Sequence, residues 1–101
     1  IYSKDVGNIT QWVLENYDDP EPLIVSPDEE ICISVIAQEI AHRMGFEGNI
    51  TYNNEMDGQF HKPSDNNKLK SLLPNYTFVP IEMGLQKSID WFVENYEDAR
   101  K

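Results

Sequence analysis

The sequence predicts a helix-rich α/β fold with about four helices and two or more short strands. Apolar residues recur every three or four positions in several stretches, which is typical of helices that bury one face. One short apolar run and one stretch with two apolar residues on one face have the length of strands. The chain has 101 residues, 40% of them hydrophobic, so it forms one globular domain or part of one.

The first predicted elements are a helix from Ser3 to about Tyr17 and a short strand at residues 23–25. Ser3 is placed to cap the helix, and Asp18-Asp19-Pro20 ends it. Its apolar residues at helical spacing are Val6, Ile9, Val13 and Tyr17, with Trp12 near the edge of that face. Leu23-Ile24-Val25 is an unbroken apolar run between two prolines, which is typical of a strand covered on both faces in a parallel sheet.

The second helix has the clearest pattern in the chain. Ser34 is placed to cap it, and Gly45 is expected to end it. Its apolar stripe consists of Ile36, Ala37, Ile40, Ala41 and Met44. Residues 49–53 predict a second strand, with Ile50 and Tyr52 on one face. Because two strands make a poor sheet by themselves, the strand at 23–25 is expected to pair with strands that this chain does not contain.

Two further helices are predicted in the second half of the chain. A short one runs from about Ser64 to Leu73 and is closed by Pro74, and the last begins near Pro80. The apolar residues at helical spacing are Leu69, Leu72 and Leu73 in the first, and Leu85, Ile89, Phe92, Val93 and Tyr96 in the second.

Charge and composition limit the classes of partner. Eight Lys and Arg against eighteen Asp and Glu give a net charge of −10, which repels nucleic acids and anionic membranes, so neither is expected as a partner. No apolar run approaches the roughly 18 residues of a membrane-spanning helix, and we see no signal-peptide pattern. The single cysteine, Cys32, is expected to be buried and fits a reducing compartment. We therefore expect a cytoplasmic location.

Known catalytic and metal-binding motifs are absent from the sequence. There is no CxxC pair and no HExxH, so no zinc site is predicted. No P-loop or G-x-G-x-x-G occurs, and no tyrosine is followed four residues later by a lysine. We therefore predict no catalytic residue and no cofactor-binding residue in this chain.

Positive charge gathers in one stretch of this acidic chain. Residues 56–70 contain three of its eight cations: Lys62, Lys68 and Lys70. Gly58 permits a tight turn or the close approach of a ligand, Asp57 offers an acceptor, and Lys62 offers a charge suited to phosphate. Gln59 and His61 are weaker candidate donors. An acceptor for sugar or base beside a cation for phosphate suits a nucleotide ligand, and a plain polar loop is the alternative.

Several strings along the whole chain resemble the GDP-L-fucose synthases, a family of the extended short-chain dehydrogenase/reductase superfamily. They occupy residues 1–5, 21–26, 57–62, 67–69, 73–74 and 91–101. The Asp-Gly-Gln-Phe-x-Lys string at 57–62 and the closing helix carry the most specific part of the resemblance. It implies that Asp57 contacts the GDP-sugar and that Lys62 helps to neutralise its pyrophosphate. His61 stands where the family usually has Lys or Arg.

The resemblance also implies what the complete enzyme does. Residues 1–101 would be its C-terminal substrate-binding region, while the NADPH-binding Rossmann domain and every catalytic group lie upstream and are absent here. The complete enzyme, expected to be a homodimer, would convert GDP-4-keto-6-deoxy-D-mannose to GDP-L-fucose by C3/C5 epimerisation and NADPH-dependent reduction at C4. The chain alone would be inactive. Two alternatives remain: a non-catalytic acidic interaction module, and a related nucleotide-sugar epimerase/reductase with another substrate.

Overall fold

The structure, a computed structural model, describes residues 1–53 and 64–100. These residues contain four helices: α1 Ser3–Asn16, α2 Ile33–Arg43, α3 Asn67–Leu72 and α4 Ile81–Glu94. The prediction of a helix-rich fold with about four helices is confirmed. None of the described residues is in a β-strand, so the strands predicted at 23–25 and 49–53 are not confirmed. A strand needs a neighbour to bond its backbone N–H and C=O groups, and neither stretch has one among the described residues.

The caps predicted for α1 and α2 are wrong. Ser3 is the first helical residue of α1, and Tyr2 precedes it as the cap. Ser34 is the second residue of α2, whose cap is Cys32. A serine caps a helix only where its own backbone is extended, and the extended backbone falls at Tyr2 and Cys32, neither of which makes a side-chain capping hydrogen bond. Cys32 is also exposed rather than buried.

One compact unit consists, among the described residues, of 1–30 and 64–84. Its most buried apolar side chains are Ile9 of α1 and Leu69 of α3, at 1% and 3% exposed. The apolar face predicted for α1 is only partly buried, because Val6 is 42% exposed. Asp5 and Asn66 are buried although they are polar, so their hydrogen bonds help to determine how this unit packs.

The second compact unit consists, among the described residues, of 31–53 and 85–100. Its buried apolar side chains are Ile89 and Ala99. Arg43, at the end of α2, donates through Nε to Glu39 Oε1 at 2.6 Å and through Nη1 to Gln86 Oε1 at 2.9 Å. The guanidinium therefore joins α2 to α4 by directional bonds at the edge of a small apolar core.

Gly45 ends α2 as predicted. Its φ of 67° lies in the left-handed region that glycine adopts most readily. The backbone N–H of Gly45 donates to the carbonyl of His42 at 3.1 Å, and that of Phe46 donates to Ala41 at 2.9 Å. These two bonds form a Schellman motif, which satisfies carbonyl groups that the end of a helix leaves unpaired.

The two helices of the second half differ in how closely they follow the prediction. α4 begins directly after Pro80, as expected, and ends before Tyr96. α3 is shorter than predicted, because it starts at Asn67 rather than near Ser64. Ser64 and Asn66 instead form hydrogen bonds with a distant segment of the chain.

No helix within residues 1–53 and 64–100 combines the length and apolarity needed to cross a bilayer.

Candidate functional site

The predicted site residues lie outside the part of the chain that the structure describes. Asp57, Gln59, His61 and Lys62 all fall within residues 54–63, so their binding roles stay predictions. The structure describes the chain from Ser64 onward, directly after this segment. It also describes the side chains that form hydrogen bonds with residues 64–70.

Five residues form what we call the anchor cluster: Ser26, Asp28, Ser64, Asn66 and Lys70. Ser64 Oγ donates to Ser26 Oγ at 2.8 Å. Asn66 Nδ2 donates to the carbonyl oxygen of Ser26 and to Asp28 Oδ1, each at 2.9 Å. Lys70 Nζ donates to the same Asp28 Oδ1 at 3.1 Å. Three side chains from residues 64–70 therefore hold residues 26–28.

Asn66 is the most buried member of the anchor cluster, at 7% exposed. It precedes α3, yet its side chain makes no capping bond to that helix. Its amide group contacts Ser26 and Asp28 instead, and a buried amide is costly to leave without such partners. The hydrogen bond from Asn66, and then that from Lys70, lower the pKa of Asp28. Asp28 is therefore a charged acceptor at ordinary pH.

A second set of contacts holds α3 to the turn that follows α1. Lys68 Nζ lies 3.0 Å from Asp19 Oδ2 and 5.2 Å from the centre of the Tyr17 ring. Tyr17 Oη donates to the carbonyl of Glu21 at 2.6 Å, and the Glu21 N–H donates to Asp19 Oδ1 at 2.9 Å. The Glu21 N–H, and then Lys68, lower the pKa of Asp19. Tyr17, and then Asp19, raise the pKa of Lys68.

Two of the three lysines at positions 56–70 therefore have carboxylate partners in the same chain. Lys68 pairs with Asp19 and Lys70 with Asp28. Both pairs are partly exposed, so each adds little to stability, but each reduces the positive charge that a ligand would meet. The sequence pattern grouped all three lysines as one cationic stretch, and the structure gives two of them a different role.

Sequence reasoning missed the anchor cluster. The bonds that join its two segments link residues 38 to 42 positions apart, and neither helical period nor local motif reports a contact at that separation. A buried asparagine beside a chain turn has no signal of its own in a single sequence. Asn66 and Asp28 come into contact only because the tertiary fold brings their two segments together.

A cleft of about 280 Å³ opens between α1 and the segment that follows it. It is lined by Ile9, Thr10, Val13, Tyr17, Glu21, Pro22, Leu23 and Val25. Most of this lining is apolar, and the volume is at the lower limit for small-molecule pockets, which span about 300–1,000 Å³. The cleft offers no cationic group for a phosphate, so it does not suit a nucleotide sugar.

The described residues offer no metal site, and the sequence offers no glycine-rich turn for a dinucleotide. Among residues 1–53 and 64–100, no group of three or more His, Cys, Asp or Glu side chains is placed to hold a metal ion. Dinucleotide sites use a glycine-rich turn between a strand and a helix. The five glycines of this chain stand at 7, 45, 48, 58 and 84, and their spacing does not form that turn.

Known proteins align with this chain over its whole length. It is 40% identical over 104 residues to a probable GDP-L-fucose synthase of Drosophila melanogaster and 42% identical over 104 residues to a GDP-L-fucose synthase of Dictyostelium discoideum. Each alignment covers 100% of this chain and 32% of the relative. The chain is homologous to the C-terminal part of the GDP-L-fucose synthases. It thus spans about a third of the length of the relatives it matches.

Solved structures agree with this relationship. A crystal structure of a GDP-L-fucose synthetase from Naegleria fowleri matches this chain with a TM-score of 0.89 and 36% identity, covering 100% of this chain and 32% of that one. A second crystal structure of a GDP-L-fucose synthetase from the same organism, bound to NADP, matches with the same TM-score over 31% of its length. No family model matches the chain.

Proposed function

We propose that this chain supplies the nucleotide-sugar-binding part of a GDP-L-fucose synthase. The observation that carries the proposal is similarity from end to end: the whole chain aligns with two synthases at 40–42% identity, and its fold matches that of a third at a TM-score of 0.89. The complete enzyme converts GDP-4-keto-6-deoxy-D-mannose to GDP-L-fucose. It epimerises C3 and C5 and then reduces C4.

In this proposal the ligand contacts come from the segment around Gly58. Asp57 accepts hydrogen bonds from hydroxyl or amine donors of the nucleotide sugar, and Lys62 places a positive charge beside its pyrophosphate. Gln59 and His61 are secondary contacts. The engagement of Lys68 and Lys70 with carboxylates supports the choice of Lys62 as the phosphate-binding lysine of this stretch.

The catalytic groups and the NADPH site belong, in this proposal, to the rest of the enzyme. NADPH, when bound there, supplies the hydride for C4, and this chain contributes no group to that step. Support comes from the glycine spacing above and from large apolar side chains that stay exposed, among them Leu14 and Ile33 at 82% each and Ile24 at 47%. Exposed apolar side chains are compatible with contact to further protein, and we infer that residues 23–25 add a strand to a sheet there.

The same proposal covers assembly and location. The complete enzyme is a homodimer with both oxidoreductase and isomerase activity, and it works in the cytoplasm. A single cysteine and a strongly acidic composition are compatible with that compartment.

The test is a reaction of the complete protein with GDP-4-keto-6-deoxy-D-mannose and NADPH. NADPH oxidation is followed by absorbance and the product is identified by NMR spectroscopy. We expect GDP-L-fucose to form in proportion to the NADPH consumed, and the 101-residue chain alone to oxidise none. Turnover of a different nucleotide sugar only would favour a related epimerase/reductase. Absence of both turnover and NADPH binding would favour a non-catalytic interaction module.

A further inference from the structure

We propose that the cleft beside α1, together with the exposed line of α1 side chains next to it, is a docking face for the rest of the complete enzyme. The docking face consists of Val6, Thr10, Val13, Leu14 and Leu23. Its occupant is an apolar segment of the same polypeptide, from the part of the enzyme that precedes residues 1–101. The inference rests on the proposed function, in which this chain is about a third of a larger enzyme.

α1 carries more apolar surface than its own compact unit buries. Ile9 is 1% exposed and belongs to the core of the unit, whereas Val6 and Leu14 are 42% and 82% exposed. Thr10 stands four residues from each of these two, so the three side chains follow one line along the helix. A helix with a single packing partner usually has one apolar stripe and a polar opposite face. The line from Val6 to Leu14 therefore indicates a second partner for α1.

The exposed line of α1 borders the cleft of about 280 Å³. Thr10 lines this cleft together with Val13 of α1 and with Leu23 and Val25 of the following segment. Ile24, between the last two, is absent from the lining and is 47% exposed, which is the alternation of an extended segment with two faces. A concavity with such walls favours an apolar side chain over a charged ligand, because a charge would lose its hydration there.

The length of the relatives indicates what covers this face. The chain aligns from end to end with synthases of which it covers 32%, so about two thirds of such a polypeptide lie outside it. Domains of one polypeptide pack through interfaces of about 600–1,500 Å². Such an interface needs exposed apolar area and a matching shape, and the docking face combines an exposed leucine with an adjacent cleft.

A second copy of this chain suits the docking face less well. Glu21 lines the cleft, Asp18 follows the lining residue Tyr17, and the chain has a net charge of −10. A twofold dimer brings the same surface of each copy together, so these carboxylates would approach carboxylates of like charge. We therefore assign the occupant to the same polypeptide.

The experiment introduces a thiol into the complete enzyme and measures how fast a maleimide labels it. Leu14→Cys places the thiol on the docking face. Glu15→Cys is the matched control, since Glu15 is the next residue of α1, is exposed and points about 100° away around the helix. Relative to the same variant in urea, labelling at position 14 should be at least about tenfold slower and labelling at position 15 nearly as fast. Peptide mass spectrometry distinguishes each thiol from the other cysteines.

A photocrosslinker identifies the occupant. Irradiation of the Leu14→p-benzoylphenylalanine enzyme should give a product of monomer mass on a denaturing gel, with position 14 bonded to a peptide from upstream of this chain. A product of twice that mass would mean that a second copy covers the face, and it overturns the inference, as does fast labelling of Leu14→Cys. If the Leu14 variants do not fold, the same substitutions at Thr10 take their place, since Thr10 is exposed and lines the cleft, and the same protection is expected.

Turnover of GDP-4-keto-6-deoxy-D-mannose by the wild-type enzyme, measured in parallel, separates this inference from the proposed function. An active enzyme in which position 14 is labelled fast refutes the docking face alone. A protected thiol and a crosslink to an upstream peptide, in an enzyme without turnover, support the docking face and refute the proposed function.

Discussion

The hydroxyl of Tyr76 donates a hydrogen bond of 2.8 Å to Asp5 Oδ1, across 71 positions of sequence. The other carboxylate oxygen, Oδ2, accepts from the backbone N–H of Val79 at 3.0 Å. Asp5 is 3% exposed and stands in the first turn of α1, where the positive end of the helix favours a negative charge. One buried carboxylate thus ties the start of α1 to the segment that precedes α4.

Removing this carboxylate should destabilise the protein markedly. Asp5→Ala leaves the Tyr76 hydroxyl and the Val79 N–H without their acceptor, which should lower the free energy of unfolding by about 2–4 kcal/mol. Tyr76→Phe removes one of the two bonds and should cost about 1–2 kcal/mol. Urea denaturation measures both. Tyr52→Phe is the matched control, since Tyr52 is half exposed and its hydroxyl makes a longer bond of 3.3 Å to Ser34. Equal effects for the two tyrosine variants would contradict the argument.

Stability should decline in acid because of Asp19 and Asp28. Both pKa values lie below the usual 3.8, through hydrogen bonds from the Glu21 N–H in one case and from Asn66 in the other, with Lys68 and Lys70 adding to the effect. A lowered pKa stabilises the fold fully above the ordinary value, and that contribution is lost as pH falls through the lowered one. Melting temperatures between neutral pH and pH values below 3.8 test this expectation.

The variant Asp28→Asn identifies the source of the acid effect. It should flatten the fall in melting temperature below pH 3.8, since an amide has no proton to gain. Asp18→Asn controls for the loss of one negative charge from an exposed position. If the melting temperature of Asp28→Asn falls with pH as steeply as that of the wild type, this carboxylate does not contribute to the acid effect.

Two glycines should respond to alanine with opposite signs. Gly45 has a φ of 67°, so Gly45→Ala should lower the free energy of unfolding by about 1–2 kcal/mol. Gly7 lies inside α1, where alanine should stabilise by about 0.5–1 kcal/mol. Apart from the neighbouring backbone, no heavy atom would lie within 4 Å of a Cβ added at either position. The difference between the two variants therefore reports backbone conformation rather than packing. Urea denaturation measures both variants. If their free energies of unfolding change in the same direction, the left-handed conformation of Gly45 is contradicted.

The lysines between positions 56 and 70 should differ in their effect on ligand binding. Lys62→Ala should raise the Kd of the complete enzyme for GDP by roughly tenfold to hundredfold, since a charge-assisted contact to phosphate is lost. Asp57→Asn should also weaken binding of the GDP-sugar. Lys68→Ala removes an equal charge whose partner is Asp19 at 3.0 Å, and should leave the Kd nearly unchanged. Calorimetric titration measures both lysine variants. If they lose the same GDP affinity, total charge rather than one contact attracts the ligand.

The helices were predictable because their signals are local. Apolar residues at the helical period located α1, α2 and α4, and Gly45 located the end of α2 by its conformational freedom. The caps were predicted wrongly, since Ser3 and Ser34 are common capping residues but the backbone enters each helix before them. The short apolar run at 23–25 has the composition of a strand, yet a strand also requires a hydrogen-bonded neighbour, and composition does not supply one.

The sequence by itself determined the acidic character of the chain, its helical segments, the absence of known catalytic motifs and the resemblance to the GDP-L-fucose synthases. Only the tertiary structure decided which polar groups meet: Asp5 with Tyr76, Asn66 with Asp28, and Lys68 with Asp19. The physical reason is the range of each signal. Helical periodicity acts over three or four residues, whereas these partners stand 38 to 71 positions apart and come within 3.0 Å only through the folded path of the chain.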